Sequence, residues 1–511
     1  MLLKDLIKNL NIIEEKNPQG DLDIRGIANH TNHLGQGFLY VAIKGYITDG
    51  HLYIKKAIEN GAVAIIVEEI SQEFDIAQYK VENSRIALSQ ISSEFYGHPS
   101  KDMRLIGVTA TNGKTTTTYM LNSIFEKARI PSGLVGSVVV KVGRDTITSD
   151  LTTPESVDLQ RYLYMMKNRG IEKVAMEVSS SALELFRTHD VDYDILAFNN
   201  FSREHIDQHG SFERYWEVKS SFIKNAKEGS FVVLNLDDQH SKSLIKETKG
   251  QVITYSLTKK EGNIYCQGLD LSSGRAEFTV VVNEEFINAK GILVKGKFKV
   301  RLGVPGYHSV ANSMAAITIS LIEGIPVEYI RMGLREFTGV ERRFQYIYEN
   351  DFVIIDDHFA NRGNINVSLE TLKYMKYNKL HLVYAIRGNR GVTVNRENAE
   401  TMAKWKDRLN IDSIIATKSI GDVTFRDKVS PEEEEVFLDA MKEAHIGVAM
   451  YDSLKEAIGT ALDKVGEGDI VLLAGCQGMD HGAKVALNIL KDTRLNLDEE
   501  ELFKVLEDRV V

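Results

Sequence analysis

The chain has 511 residues, 43% hydrophobic and 26% charged, with only 7 prolines; this predicts roughly three hydrophobic cores and no long disordered tract. A formal charge of −10 excludes a dominant nucleic-acid surface, since such surfaces neutralise phosphates with clustered Lys and Arg. Two cysteines, Cys266 and Cys476, are too few for a disulfide framework or a zinc site, which fits a reducing cytosol.

The opening stretch "MLLKDLIKNLNIIEEKNPQG" sets Lys and Glu among apolar residues at helical spacing, which predicts an amphipathic helix rather than a signal peptide. No segment reaches the uncharged span of about 18 residues that a membrane helix needs, so a cytoplasmic protein without membrane contact is expected. Residues 1–100 then alternate strand-like "GFLYVAI" and "AVAIIVEE" with helical "HLYIKKAIENGA", the rhythm of a small α/β domain. Pro99 and Ser100 punctuate, "MRLIGVTA" reads as a buried strand and "KTTTTYMLNSIFEKA" as the helix after it. Through 101–337 the runs "KVAMEV", "ILAFNNF" and "SFVVLNL" alternate with helical segments, predicting a largely parallel sheet covered on both faces. A glycine turn into the helix of "GYHSVANSMAAITISLIEGI" closes this unit. Beyond "REFTGVERRFQ", residues 338–511 hold "FVIIDD", "KLHLVYAI", "DSIIAT" and "GDIVLLAG", strands of a Rossmann-like, doubly wound domain.

The stretch "GVTATNGKTTTT", Gly107 to Thr118, has the character of a glycine turn between strand and helix, whose backbone N–H groups and helix N-terminus suit a phosphate. Lys114 would reach the terminal phosphates and the Thr115 hydroxyl would ligate Mg²⁺. Val108 stands where a strict GxxxxGK[ST] has its first glycine, so a threonine-rich helix start capped by Thr111 or Asn112 is the alternative. From residues alone, Glu177 at the end of "KVAMEV" is a ligand-facing carboxylate or a solvated one; His205 in "NNFSREHIDQHG" is a metal ligand or a surface histidine.

"TATNGKTTT" resembles the phosphate loop of the Mur ligases, "TGTNGKTTT", and the resemblance extends in order through "GFLYVAIKGYITDGHLYIKKAIENGAVAIIVEE", "DLTTPE", "MEVSSSALELFR", "NNFSREHIDQHGSFERYWEVKSSF" and "GYHSVANSMAA", most closely to the MurE branch. It implies three domains, a small α/β acceptor-binding domain, a central P-loop-type ATPase domain and a C-terminal amine-binding domain. It also implies ATP held by Thr109, Thr111, Asn112, Gly113, Lys114, Thr115 and Thr116, with Asn312, Arg343 in "GVERRFQ" and Asp357 in "VIIDDHFAN" completing the nucleotide contacts. Metal would be held by Thr115, Glu177, His205 and Lys219, the last as a carbamate, an anionic oxygen donor that suits Mg²⁺; Lys114, Glu177, His205 and Lys219 would form the catalytic set. Acceptor contacts would come from Thr31, Thr152, Thr153, Ser179 and Arg187.

The substrate motifs depart from the branch together. "DSR" becomes "HTN" at His30–Asn32; "SSHAL" becomes "SSSAL", with Ser181 for His; "DNPR", the reader of diaminopimelate's distal carboxylate, becomes "KSIGDV" without an arginine; "AGKGHE" becomes "AGCQGMD", keeping Gly475 and exchanging Glu for Asp480. "AIRGNRGVTVNRE" offers Arg387, Arg390 and Arg396 for an α-carboxylate, with Arg396 nearest the family position, or is a solvent-exposed basic loop. A pocket without the arginine would leave a buried carboxylate unpaired. The expectation is therefore an ATP- and Mg²⁺-dependent carboxylate–amine ligase, monomeric, acting on a UDP-N-acetylmuramoyl-peptide with an amino acid other than diaminopimelate. A ligase of specialised metabolism joining another acid and amine, or a non-catalytic binding homologue, are the alternatives.

Overall fold

The first sheet forms because short β-branched and aromatic runs alternate their faces: Leu39, Val41, Ala64 and Ile66 point into one core with Leu3, Leu6 and Ile91, while Tyr40, Ile65 and Val67 point into another with Ile54 and Ala57. In this computed structural model, which describes residues 1–45, 48–202, 209–272, 275–494 and 497–507, its strands run in the order Glu14–Lys16, Ala77–Lys80, Ala62–Val67, Phe38–Val41, Gly26–Ala28. The predicted opening helix is cut to Leu3–Leu6. Its apolar side chains are buried as expected, but the chain turns away after Leu10 to make Glu14–Lys16, antiparallel to Ala77–Lys80, so edge pairing displaces further helix.

The chain divides into two units, Met1–Thr254 and Tyr255–Val511. The first also holds strands in the order Phe231–Asn235, Ile195–Phe198, Arg104–Thr109, Lys173–Glu177, Ser132–Val135, Val139–Val142, Asp145–Thr148. The first five are parallel, as the sequence predicts for strands buried on both faces. Val139–Val142 and Asp145–Thr148 add an antiparallel margin. The helix Lys114–Lys127 follows Arg104–Thr109 and buries Met120, Leu121, Ile124 and Phe125 completely. Each such side chain contributes about 1.5–3 kcal/mol, which seats the helix start against the strand ends.

The second unit contains a long antiparallel hairpin, Arg275–Ile287 with Leu293–Pro305, which the sequence reading did not anticipate, then the helix Tyr307–Ile322. Its six-stranded sheet runs Gln345–Glu349, Val353–His358, Ile470–Gly475, Leu380–Ala385, Ser413–Thr417, Gly447–Tyr451. The four predicted strands are all present and parallel; Gln345–Glu349 joins antiparallel at one edge and Gly447–Tyr451 parallel at the other. Ile470–Gly475 leads into the helix Gly482–Thr493 on one face. Its neighbour Leu380–Ala385 leads into Val392–Ala403 on the other. Connections that part in this way open a crevice at the carboxyl ends of the two strands. Among the described residues no helix is long and apolar enough to cross a membrane.

Candidate active site

The carboxyl ends of Arg104–Thr109, Lys173–Glu177 and Ser132–Val135 are neighbours, and their loops converge. Gly113, at φ 92°, makes the left-handed turn that starts the helix at Lys114, a conformation glycine adopts without steric cost. The amides of Gly113, Thr115 and Thr116 have no acceptor among the described residues, so they are open to an anion. Thr109 is buried and donates to the Val178 carbonyl at 2.8 Å. Lys114 Nζ donates to the carbonyls of Ala110 (2.9 Å) and Thr111 (3.1 Å).

Glu177 is fully buried. Thr115 Oγ1 donates to it at 2.9 Å, the Ser137 amide at 2.8 Å and the Ser137 hydroxyl at 3.0 Å. A Cβ at Gly136 would lie 2.5 Å from Glu177 Oε1, so the turn before Ser137 needs glycine to admit the carboxylate. The residues expected to contact the acceptor gather around the same glutamate. Thr152 Oγ1 lies 3.1 Å from Ser137 Oγ; Thr153 Oγ1 donates to the Glu177 carbonyl at 2.8 Å and accepts the Ser179 amide at 3.1 Å. Arg187 donates to the Thr153 carbonyl at 3.2 Å and pairs with Glu155 at 2.7 Å.

Lys219 is 1% exposed on the helix Phe212–Lys224. Its ammonium donates to the Ala110 carbonyl and lies 5.1 Å from the Tyr215 ring centroid. His205 lies outside the described residues. His209, which the sequence reading passed over, is buried with its ring nitrogens 3.0 Å from Glu184 and 3.0 Å from Ser180, and burial holds its pKa below the ordinary value. Among the described residues no cluster of three His, Cys, Asp or Glu forms a metal site; the donors assembled here are the Thr115 hydroxyl and the Glu177 carboxylate, hard oxygens that fit Mg²⁺.

Thr31 is buried in the first sheet's domain, in a short 3₁₀ turn with Asn32 and His33. In the second unit, Asn312 is buried on Tyr307–Ile322. Arg343 makes no ion pair among the described residues, whereas Arg342 beside it is 5% exposed and bound: it pairs with Asp480, lies 3.5 Å from Asp356, and donates to the carbonyls of Gly475 (2.6 Å) and Cys476 (3.1 Å). Asp357 accepts the amides of Phe344 (3.0 Å) and His358 (2.9 Å) and the Ser368 hydroxyl. Burial pushes its carboxyl up to about 6. Asp480 is likewise raised by burial.

Arg396 departs from the expected α-carboxylate position. "VTVNRE" belongs to the helix Val392–Ala403, and its guanidinium binds Glu400 (2.9 Å) and Glu443 (2.7 Å) on an exposed surface. Arg387 instead follows the strand at the crevice; it donates to the Ala360 carbonyl at 2.6 Å, and its Nε is buried without a partner.

The chain matches the Mur ligase catalytic domain over residues 23–96, the Mur ligase middle domain over 108–320 and the Mur ligase glutamate ligase domain over 342–477. It is 33% identical to the UDP-N-acetylmuramoyl-L-alanyl-D-glutamate--2,6-diaminopimelate ligase of Caldanaerobacter subterraneus subsp. tengcongensis, covering 99% of this chain and 98% of the relative. It belongs to the Mur ligase family. The enzyme of the same name from Bacillus velezensis is 32% identical, over 93% and 94% of the two chains. A solved Mur ligase of that name superposes with a TM-score of 0.66 at 22% identity, over 94% of each chain. MurF from Thermotoga maritima in complex with ADP gives 0.60 at 20% identity, over 95% of this chain and 100% of that one. The fold is thus the three-domain Mur ligase architecture, and the activity is that of an ATP-dependent, ADP-forming ligase that makes amide bonds.

Proposed function

We propose that this Mur ligase joins the carboxylate of a UDP-N-acetylmuramoyl-peptide to the amine of an amino acid other than 2,6-diaminopimelate. ATP phosphorylates the acid, and the amine displaces phosphate from the acyl phosphate. One observation carries the reading: Lys114, Thr115, Glu177 and Lys219 converge with Thr152, Thr153 and Ser179 at the ends of adjoining strands. The two lysines meet at the Ala110 carbonyl and the threonines at Glu177, with Thr115 of the loop bonded to that glutamate, which supports one site for phosphate and acid. Lys114 offsets repulsion between triphosphate and carboxylate, Ser137 and Thr115 hold the Glu177 carboxylate, and Arg187 carries charge for the acceptor. Mg²⁺, held by Thr115, Glu177, His205 and a carbamylated Lys219, supplies charge neutralisation when bound.

Both named relatives are diaminopimelate ligases, so the amine rests on this chain's departures. After Ser413–Thr417 the chain carries Lys418, whose ammonium is bound to Glu434 (3.1 Å) and Asp452 (2.9 Å). Ser419 follows, its hydroxyl buried without a partner. Asp480 is paired with Arg342. The segment "KSIGDV" carries no arginine, Arg426 further along the loop is exposed over the Phe425 ring, and burying a distal carboxylate unpaired is expensive. Arg387 is the proposed anchor of the α-carboxylate, in place of Arg396.

The test is phosphate release from ATP with matched pools of acids and amino acids. Release with UDP-N-acetylmuramoyl-L-alanyl-D-glutamate plus a neutral amino acid supports the proposal. Release with diaminopimelate alone sinks the amine assignment, and release only with unrelated acids favours a specialised-metabolism ligase, a reading the "HTN" turn at His30–Asn32 supports.

A further inference from the structure

We infer that Asn200 is a positioning residue that fixes the conformation of the phosphate loop. Its carboxamide faces Asn112 in a reciprocal clasp: Oδ1 accepts the Asn112 amide at 3.0 Å and Nδ2 donates to the Asn112 carbonyl at 2.8 Å. Its own backbone carbonyl takes the Thr111 amide at 3.0 Å. Three successive peptide groups, those joining Ala110–Thr111, Thr111–Asn112 and Asn112–Gly113, are therefore held by one residue. The clasp is reinforced on both sides. The Ser202 amide donates to Thr111 Oγ1 at 3.0 Å and the Tyr215 hydroxyl lies 3.2 Å from the same oxygen. Asn199 Nδ2 donates to Thr117 Oγ1 at 3.0 Å, and that hydroxyl donates to the Gly113 carbonyl at 2.8 Å.

The functional consequence lies in which amides remain. With the Thr111 and Asn112 N–H groups turned inward to Asn200, those of Gly113, Thr115 and Thr116 are left without acceptors, and they are the ones that meet phosphate oxygens at a helix start. A loop not held this way has to be ordered by the nucleotide, at the expense of affinity. A carboxamide is suited to the task because it presents a donor and an acceptor side by side, matching a peptide's own. Aspartate has the same size but would set an anionic oxygen against the Asn112 carbonyl.

The experiment compares Asn200→Ala and Asn200→Asp with the parent in the full-length protein, by calorimetric titration with ADP, steady-state KM values for ATP and the acid, and the melting temperature. The inference expects ADP affinity and KM for ATP to worsen about tenfold or more in Asn200→Ala and further in Asn200→Asp. KM for the acid stays within twofold. ADP affinity within twofold of the parent in both variants, even with a lowered melting temperature, makes Asn200 structural cement and overturns it. So does an equal rise in the KM values for ATP and acid, or failure of both variants to fold.

Discussion

Lys114 and Lys219, carried on different helices, direct their ammonium groups to the same atom, the carbonyl oxygen of Ala110. Two cations drawn to one acceptor repel each other in a poorly hydrated site. The proposed carbamylation of Lys219 would replace that repulsion with attraction and leave Lys114 for the nucleotide. Lys219→Ala is accordingly expected to lower ligation by at least about a hundredfold, with partial recovery when short carboxylic acids are added. Phosphate release assayed with and without acetate or propionate checks this; full activity in the variant removes the carbamate from the account.

Arg387 and Arg396, two of the three arginines of the 385–397 stretch, should behave oppositely. Arg387→Ala is expected to raise KM for the amino acid about ten- to hundredfold with little change in KM for ATP, because it would remove the charged hydrogen bond proposed for the amine substrate's carboxylate. Arg396→Ala, which loses only exposed ion pairs, should stay within about twofold of the parent. Steady-state kinetics with the amino acid as the varied substrate separates them.

Arg342 is sealed between Asp356 and Asp480. Its replacement by Ala removes the cation beside the buried Asp356 and the partly buried Asp480, so unfolding in urea should show a loss of about 3 kcal/mol. Arg343→Ala, where the guanidinium makes no ion pair among the described residues, should cost under about 1 kcal/mol in stability while weakening nucleotide binding.

Asp357 gives a pH signature. Its folded carboxyl titrates at about 6, above the ordinary 3.8, so the folded state holds the proton more tightly than the unfolded chain. The stabilisation is complete below about pH 4, is lost as pH rises toward about 6, and is absent above that; roughly two pKa units correspond to about 3 kcal/mol. Asp357→Asn keeps an acceptor for the Phe344 and His358 amides and abolishes the titration. Melting curves from pH 4 to 7 should therefore fall more steeply for the parent than for the variant.

The phosphate loop was legible because its chemistry is local. A strand, a glycine turn, Lys114 and Thr115 lie within a dozen residues, and Glu177 was singled out from its place at a strand end, where the structure buries it against Thr115. Asn200 and Arg342 were not, since their partners lie 88 and 138 residues away, beyond the reach of any spacing argument. The surroundings of Arg396 were hidden for a different reason: "VTVNRE" reads as a loop by motif but propagates as helix, which turns the guanidinium toward Glu400 and Glu443. At the amino terminus the apolar spacing correctly marked Leu3 and Leu6 as buried, yet could not reveal that an edge strand would claim the residues after Leu10.

The pairing of Arg342 with Asp480 stiffens the turn against which the amine donor would bind in the proposed reaction. The turn after Ile470–Gly475 is already neutralised and tethered through two of its carbonyls, so it is preorganised, and little ordering entropy is charged to the incoming molecule. If the donor binds beside this turn, the fixed contour of the wall would add a demand of shape to the demand of charge that the proposed Arg387 anchor makes.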